Sequence, residues 1–104
     1  MRSKIECLIA SLLVFFGIVT LIWDPNDPTP EGYRLFARVN GYQYNYSEPI
    51  WTGTSTTVKV RVPDKVLVYF VVRAYKGSDE SGDSNEVKYI DRRPTKPEGI
   101  KLEE

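Results

Sequence analysis

The chain is 104 residues long, room for one domain, and its 41% hydrophobic residues are too many for a disordered chain. Fourteen Lys plus Arg balance fourteen Asp plus Glu, so no basic surplus exists to neutralise a phosphate backbone, and nucleic acid is not an expected partner. Histidine is absent, which removes the commonest general base, the commonest metal ligand and every Ser-His or Cys-His nucleophile, and a lone cysteine, Cys7, excludes an internal disulfide or a cysteine zinc site.

Taken in chain order, the first element is apolar. Arg2 and Lys4 precede an uncharged run of 17 residues, Cys7 to Trp23. It reads as a secretory signal, as an uncleaved anchor over residues 7–23, or as buried core. Composition changes inside the run. Leu8 to Phe16 is Leu-rich and suits a helix, whereas Ile18 to Trp23 is β-branched and aromatic and suits a strand. The boundary is therefore placed near Gly17, with residues 1–17 a signal or hydrophobic leader. A cut after Gly17 puts Phe15 where a small residue is wanted. This pattern predicts export (secreted, periplasmic or cell-surface), with membrane contact only through the N-terminal segment.

Asp24 to Gly32 contains three prolines and is a loop. Tyr33 to Val39 reads as a strand with Tyr33, Leu35, Ala37 and Val39 on one face and Arg34, Phe36 and Arg38 on the other. Asn40-Gly41 is a tight-turn signal. Tyr42, Tyr44 and Tyr46 alternate, predicting a short strand that Glu48-Pro49 ends. Thr56 to Val62 alternates, with Val58, Val60 and Val62 inward, and Pro63-Asp64-Lys65 turns the chain. Leu67 to Tyr75 is the most apolar strand and is expected at the centre of its sheet, with Val68, Phe70, Val72 and Ala74 on one face. Gly77 to Asn85 reads as a polar loop, Val87 to Ile90 as a last short strand. Residues 92–104 form a Pro-rich charged tail in which Gly99-Ile100-Lys101-Leu102 is strand-like. Short strands separated by turns, with no helical periodicity after Gly17, predict an all-β sandwich or barrel.

Three blocks resemble the fibronectin type III family over about residues 18–91. Val19-Thr20-Leu21-Ile22-Trp23-Asp24-Pro25-Asn26 is similar to its second strand, Gly32-Tyr33-Arg34-Leu35-Phe36 to its third. Tyr69 to Tyr75 followed by Ser81-Gly82-Asp83-Ser84-Asn85-Glu86-Val87 is similar to its sixth and seventh strands, in the wording of bacterial and phage members. The resemblance implies an immunoglobulin-like β-sandwich with Trp23, Tyr33, Leu35, Val60, Phe70 and Val72 buried together. It also implies two departures. The family's corner tyrosine is Val68 here, with Tyr69 its outward neighbour, so the corner hydrogen bond is lost at a cost of about 0.5–1.5 kcal/mol. And the second-strand motif starts where the leader ends, leaving no first strand unless the leader or the tail supplies one. Ile100 and Leu102 are the candidate donor residues for strand addition, to the chain's own edge or head-to-tail to another copy, against the plainer and preferred readings of a linker stub or a disordered tail.

The fold serves many roles, so the resemblance is nearly silent on function. Tyr42, Tyr44, Tyr46 and Trp51 are candidate stacking residues for sugar rings, against the plainer expectation of cross-strand aromatic packing. Asp79, Glu80, Asp83, Asn85 and Glu86 carry oxygens enough for calcium, but their spacing matches no calcium loop and a solvated turn is the preferred reading. The expectation is a non-catalytic, cofactor-free binding or structural module, exported or surface-displayed, meeting protein or glycan partners. The alternative is a structural or decoration protein of a phage virion.

Overall fold

The computed structural model describes residues 16–92 and 97–103. Among these residues the chain is all-β without helix. The strands are β1 (Phe16–Ile22), β2 (Gly32–Val39), β3 (Trp51–Gly53), β4 (Thr57–Pro63), β5 (Val68–Lys76), β6 (Asp79–Glu80) and β7 (Val87–Tyr89). They form two antiparallel sheets, an arrangement compatible with a β-sandwich. β1 pairs with β4 in the first; in the second the order is β3-β2-β5, with β6 and β7 both on the far side of β5. No described helix is long and apolar enough to cross a membrane. Most of the predicted leader, residues 1–15, lies outside the described residues.

Period-two alternation explains how the sheets face each other. In the first sheet Val19 sits opposite Val60 and Leu21 opposite Val58. These partly buried side chains pack against Leu35, Val39, Val68 and Phe70 of the second sheet and against Val62 beside them. Each such side chain fully removed from water contributes about 1.5–3 kcal/mol. Of the six expected core residues, Tyr33, Leu35 and Phe70 are buried, while Trp23, Val60 and Val72 are partly buried. Trp23 links the layers: its ring meets Tyr33 edge-on at 5.6 Å and Trp51 at 5.8 Å. Val68, where the corner tyrosine was expected to be missing, is fully buried, and Tyr69 faces the other way, beneath Arg38.

Several expectations need correction. β1 spans Phe16–Ile22, so the strand starts two residues before the run from Ile18 that reads as strand-like. Residues 42–46 form no strand. Turns formed by Tyr42 N–H to Val39 C=O and Glu48 N–H to Asn45 C=O, with Asn45 Oδ1 accepting from Ser47 N–H, use the backbone locally, and the tyrosine rings lie over the sheet instead of extending it. Gly41, at φ 91°, supplies the left-handed residue of the first turn. The described tail residues, 97–103, form no strand either: Ile100 is 97% and Leu102 93% exposed, so the tail is not docked on its own sheet edge.

The segment expected to be a polar loop, 77–85, contributes β6 to the second sheet. Tyr75 pairs with Glu80 and Phe70 with Val87, so seven residue steps on one strand oppose five on the other, a two-residue bulge. Two serines bridge it. Ser81 N–H donates to Ala74 C=O and Ser81 Oγ accepts from Ala74 N–H; Ser84 does the same with Val72. Each hydroxyl then donates to the carbonyl of the following residue, Gly82 or Asn85. Serine side chains thus stand in for the missing ladder carbonyls and keep β5 satisfied on that side.

Candidate functional site

Register places Arg34, Phe36 and Arg38 of β2 on the outer face of the five-stranded sheet, opposite Arg73, Val71 and Tyr69 of β5. Like charges directly opposite each other, as with Arg34 and Arg73, are destabilising unless a counter-charge sits between them. Glu80 does so: Oε2 lies 2.6 Å from Arg34 Nη1 and Oε1 lies 2.8 Å from Arg73 Nη1. The hairpin through β6 is what brings this carboxylate back over the sheet.

Two further arginine clusters share one design. Arg73 lies over the Tyr46 ring at 3.7 Å; the Tyr46 hydroxyl donates to Asp83 Oδ2 at 2.7 Å, and Asp83 Oδ1 takes Arg73 Nε at 2.7 Å. Arg38 lies near the Tyr44 ring at 5.4 Å; the Tyr44 hydroxyl donates to Glu86 Oε2 at 2.7 Å, which also takes Arg38 Nε at 3.3 Å. Below them Arg38 covers Tyr69 at 3.9 Å and Arg34 covers Tyr75 at 4.0 Å. The 40–50 loop and the 81–86 bulge are therefore tied together across the sheet. Phe36 shows the effect. It points outward, yet only 1% is exposed, because Tyr46 packs edge-on against it at 5.1 Å with Arg73 beside it.

The electrostatics follow the geometry. Hydrogen bonds from Arg73 and Arg34 hold the Glu80 carboxyl below its usual range. Burial pushes Asp83 up, but hydrogen bonds from Tyr46 and Arg73 outweigh it and bring it down. Glu86 is lowered by the Tyr44 hydroxyl, against partial desolvation, with help from Arg38. Desolvation and the neighbouring carboxylates push both phenols up, Tyr44 most strongly. All these shifts lead away from neutrality. The three arginines and three carboxylates of this cluster neutralise one another.

The four aromatic residues singled out in the sequence are not assembled into one platform. Tyr44 and Tyr46 meet at 5.8 Å with their planes 33° apart, and both hydroxyls are engaged. Tyr42 is half-exposed beside them, its carbonyl accepting from Arg38 Nη1. Trp51 lies on the opposite, inner side against Trp23, its ring lying so close over Gly53 that a Cβ there would meet it at 2.6 Å. Glu80, Asp83 and Glu86, weighed above as calcium ligands, are turned to arginines, and no group of three or more ligating side chains gathers among the described residues.

Two depressions lie among the described residues. A cleft of about 320 Å³ opens at the end of the sheets between the 24–26 loop and the 81–85 bulge, floored by Trp23 and Tyr33. Asn26 N–H donates to the Tyr33 hydroxyl at 2.9 Å and pins the loop at its rim, while Trp23 Nε1 is buried with no hydrogen-bond partner among the described residues. The second is an apolar gap of about 80 Å³ between β1 and β7, lined by Leu21, Trp23, Phe70, Val72 and Val87.

Sequence reasoning missed the arginine–carboxylate pairing. The signal was present in the outward parity of β2 and β5, which places arginines and aromatic residues alternately on one face. Nothing local tells that residues 80, 83 and 86 fold back over it. No family model, curated protein or solved structure matches the chain.

Proposed function

We propose that the chain is a non-catalytic binding or structural module of the fibronectin type III kind, exported or surface-displayed, that presents its outer sheet face to a protein or glycan partner. The observation that carries this reading is the way the outer face is built. Its arginines, tyrosines and carboxylates are locked to one another, so the face is pre-organised and carries little net charge. The strand pairing, β1 with β4 and β3-β2-β5 with the bulged β6/β7 edge, supports the family reading, as does the Trp23–Tyr33 contact between the layers. Tyrosine and arginine are the residue types that most often anchor recognition surfaces, and rigid ones lose little entropy on binding. Tyr42 and Tyr46, 51% and 40% exposed, are the rings placed to meet a partner.

The test has two arms. The purified protein is assayed for hydrolysis of glycoside, peptide and phosphoester panels, with no turnover expected. It is then screened against glycan and cell-surface protein arrays, with Tyr42→Ser and Tyr46→Ala as controls. Binding that both substitutions weaken, measured at a temperature where circular dichroism shows each variant still folded, supports the reading. Turnover in the first arm, or binding that neither substitution touches, refutes it. Fractionation and intact-mass measurement of the native protein test export.

A further inference from the structure

Among the described residues the two-stranded sheet ends in an open edge. Trp23 N–H donates to Thr56 C=O, which makes that position a hydrogen-bonded pair. Pairs alternate along an antiparallel ladder, so Gly17, Val19 and Leu21 direct their backbone groups to β4 while Ile18, Thr20 and Ile22 direct theirs to the other side. Pro63, which has no N–H to give, falls opposite Phe16 at a non-bonded position, as this alternation requires. Among the described residues no strand pairs with that side of β1. The side chains there are also uncovered: Ile18 is 62% and Ile22 77% exposed. The apolar gap between β1 and β7 opens along the same edge.

Elsewhere the molecule carries an unoccupied strand-like segment. Ile100 and Leu102 alternate with Lys101 and Glu103, so in an extended strand the two apolar side chains share one face and the two charges the other. Both apolar side chains stand almost wholly in solvent.

Direction and reach decide whose edge this segment fits. Trp23, just past the end of β1, packs on Tyr33 at the start of β2, so β1 ends where β2 begins. Val39 at the far end of β2 pairs with Val68, and Val68 pairs with Tyr89. The chain therefore leaves β7 at the end of the sheets where β1 starts. To run antiparallel to its own β1, the tail would first have to reach the opposite end. Seven residues of β1 span about 24 Å at ~3.4 Å each, whereas residues 92–96 extend at most roughly 18 Å. Parallel pairing with its own edge is within reach but is the less stable pairing per residue, and residues 97–103 do not adopt it. A tail arriving from a neighbour placed end to end enters at the Ile22 end and runs antiparallel without strain.

We propose that residues 97–103 of one copy add as an antiparallel strand to the free edge of β1 in a second copy, with Ile100 and Leu102 filling the gap between β1 and β7. The contact joins two different surfaces, so it does not close on itself and each added copy exposes a fresh edge and a fresh tail. This inference goes beyond the binding reading and is independent of its ligand, since the edge and the outer sheet face are separate surfaces.

The test is sedimentation velocity of the full chain over a wide concentration range, beside the double variant Ile100→Lys/Leu102→Lys. Both side chains are solvent-exposed in the single copy, so the variant keeps the fold, which matching circular dichroism and melting at low concentration check. The expected result is a weight-average mass that climbs with concentration without levelling at a dimer, a loss of that climb in the variant, and its reversal by excess synthetic peptide of residues 97–103. A full chain that stays monomeric at all concentrations overturns the proposal, as does a plateau at a closed dimer. Association that the variant retains overturns it too, because it would then run through some other surface.

Discussion

Glu80→Gln isolates the charge that separates Arg34 from Arg73. The substitution keeps shape and one acceptor oxygen but removes the counter-charge from two arginines that the strand register places face to face. Partly exposed ion pairs of this kind contribute about 0.2–1 kcal/mol each. The unrelieved repulsion across the β2–β5 pair adds a comparable cost of roughly 0.2–1 kcal/mol. The expected loss is thus about 1–2 kcal/mol, which for a domain of this size lowers Tm by about 5–12 °C. The pH dependence gives the reasoning a sharper test. The folded protein holds the Glu80 carboxyl below its unfolded value, so its stabilisation is fully present above the unfolded pKa of about 4.3 and is lost as pH falls through the lower folded value. Thermal melts of both proteins followed by circular dichroism should therefore differ at neutral pH and converge in acid, below the ordinary carboxylate range. Added salt should narrow the neutral-pH gap, because the groups are partly solvated. Equal melting at neutral pH, or a gap that persists unchanged in acid, refutes the assignment of Glu80 as the counter-charge.

Other sites give independent outcomes. Ser84→Ala removes the acceptor for Val72 N–H and should cost about 1–3 kcal/mol in chemical denaturation, the price of a strand donor left without a partner; Ser84→Thr, which restores an acceptor, should recover part of it. Gly53→Ala drives a Cβ into the Trp51 ring and should cost about 1–3 kcal/mol, visible as a lower denaturation midpoint and altered tryptophan fluorescence. Tyr44 and Tyr46 have raised pKa values in the folded state, so the stability they confer is present below the unfolded phenol value and disappears as pH rises through the folded ones. An ultraviolet titration of wild type against Tyr44→Phe and Tyr46→Phe should assign to each of these two phenols an ionisation above the ordinary phenol range, and Tyr46→Phe should flatten the alkaline loss of stability. Ionisation of Tyr44 and Tyr46 in the ordinary range contradicts the hydroxyl–carboxylate bonds.

The legible part of the fold was the part written in period two. Val58, Val60 and Val62, and Tyr33, Leu35 and Val39, alternate because a pleated strand sends successive side chains to opposite faces, and the structure places them on the inner side as that rule demands. The tyrosine triplet misled for a physical reason. Alternation in residues 42–46 satisfies the strand rule, but a strand also needs a ladder partner, and here Asn40-Gly41 and Asn45 turn the backbone onto itself. Trp51 misled because its inward direction is fixed by pairing with Leu35, a long-range fact. The Ser81/Ser84 bridge was hidden in what reads as loop composition. Serine, glycine and aspartate do favour turns, but a hydroxyl can also accept the hydrogen bond that a strand N–H would otherwise give to a carbonyl.

The two layers of the molecule are finished to different degrees, and this bears on which surface can change partners. On the five-stranded side, the described arginine clusters are answered by carboxylates, the bulged edge of β5 is satisfied by serine hydroxyls, and Phe36 is roofed by Tyr46. A new partner there must fit a surface already set, as a pre-organised recognition face does. On the two-stranded side, β1 has no charge in its seven residues, no strand on its outer edge among the described residues, and two exposed isoleucines. Native sheets usually blunt such an edge with lysine, proline, a bulge or a covering segment. None of these devices is present in the β1 sequence itself. The bulge that could have twisted an edge away is spent on the other sheet, where it carries Asp83 and Glu86 over the outer face. An edge left this receptive is best explained by a strand that belongs on it, and the segment whose alternation, exposure and direction suit that place is the tail of a neighbouring copy.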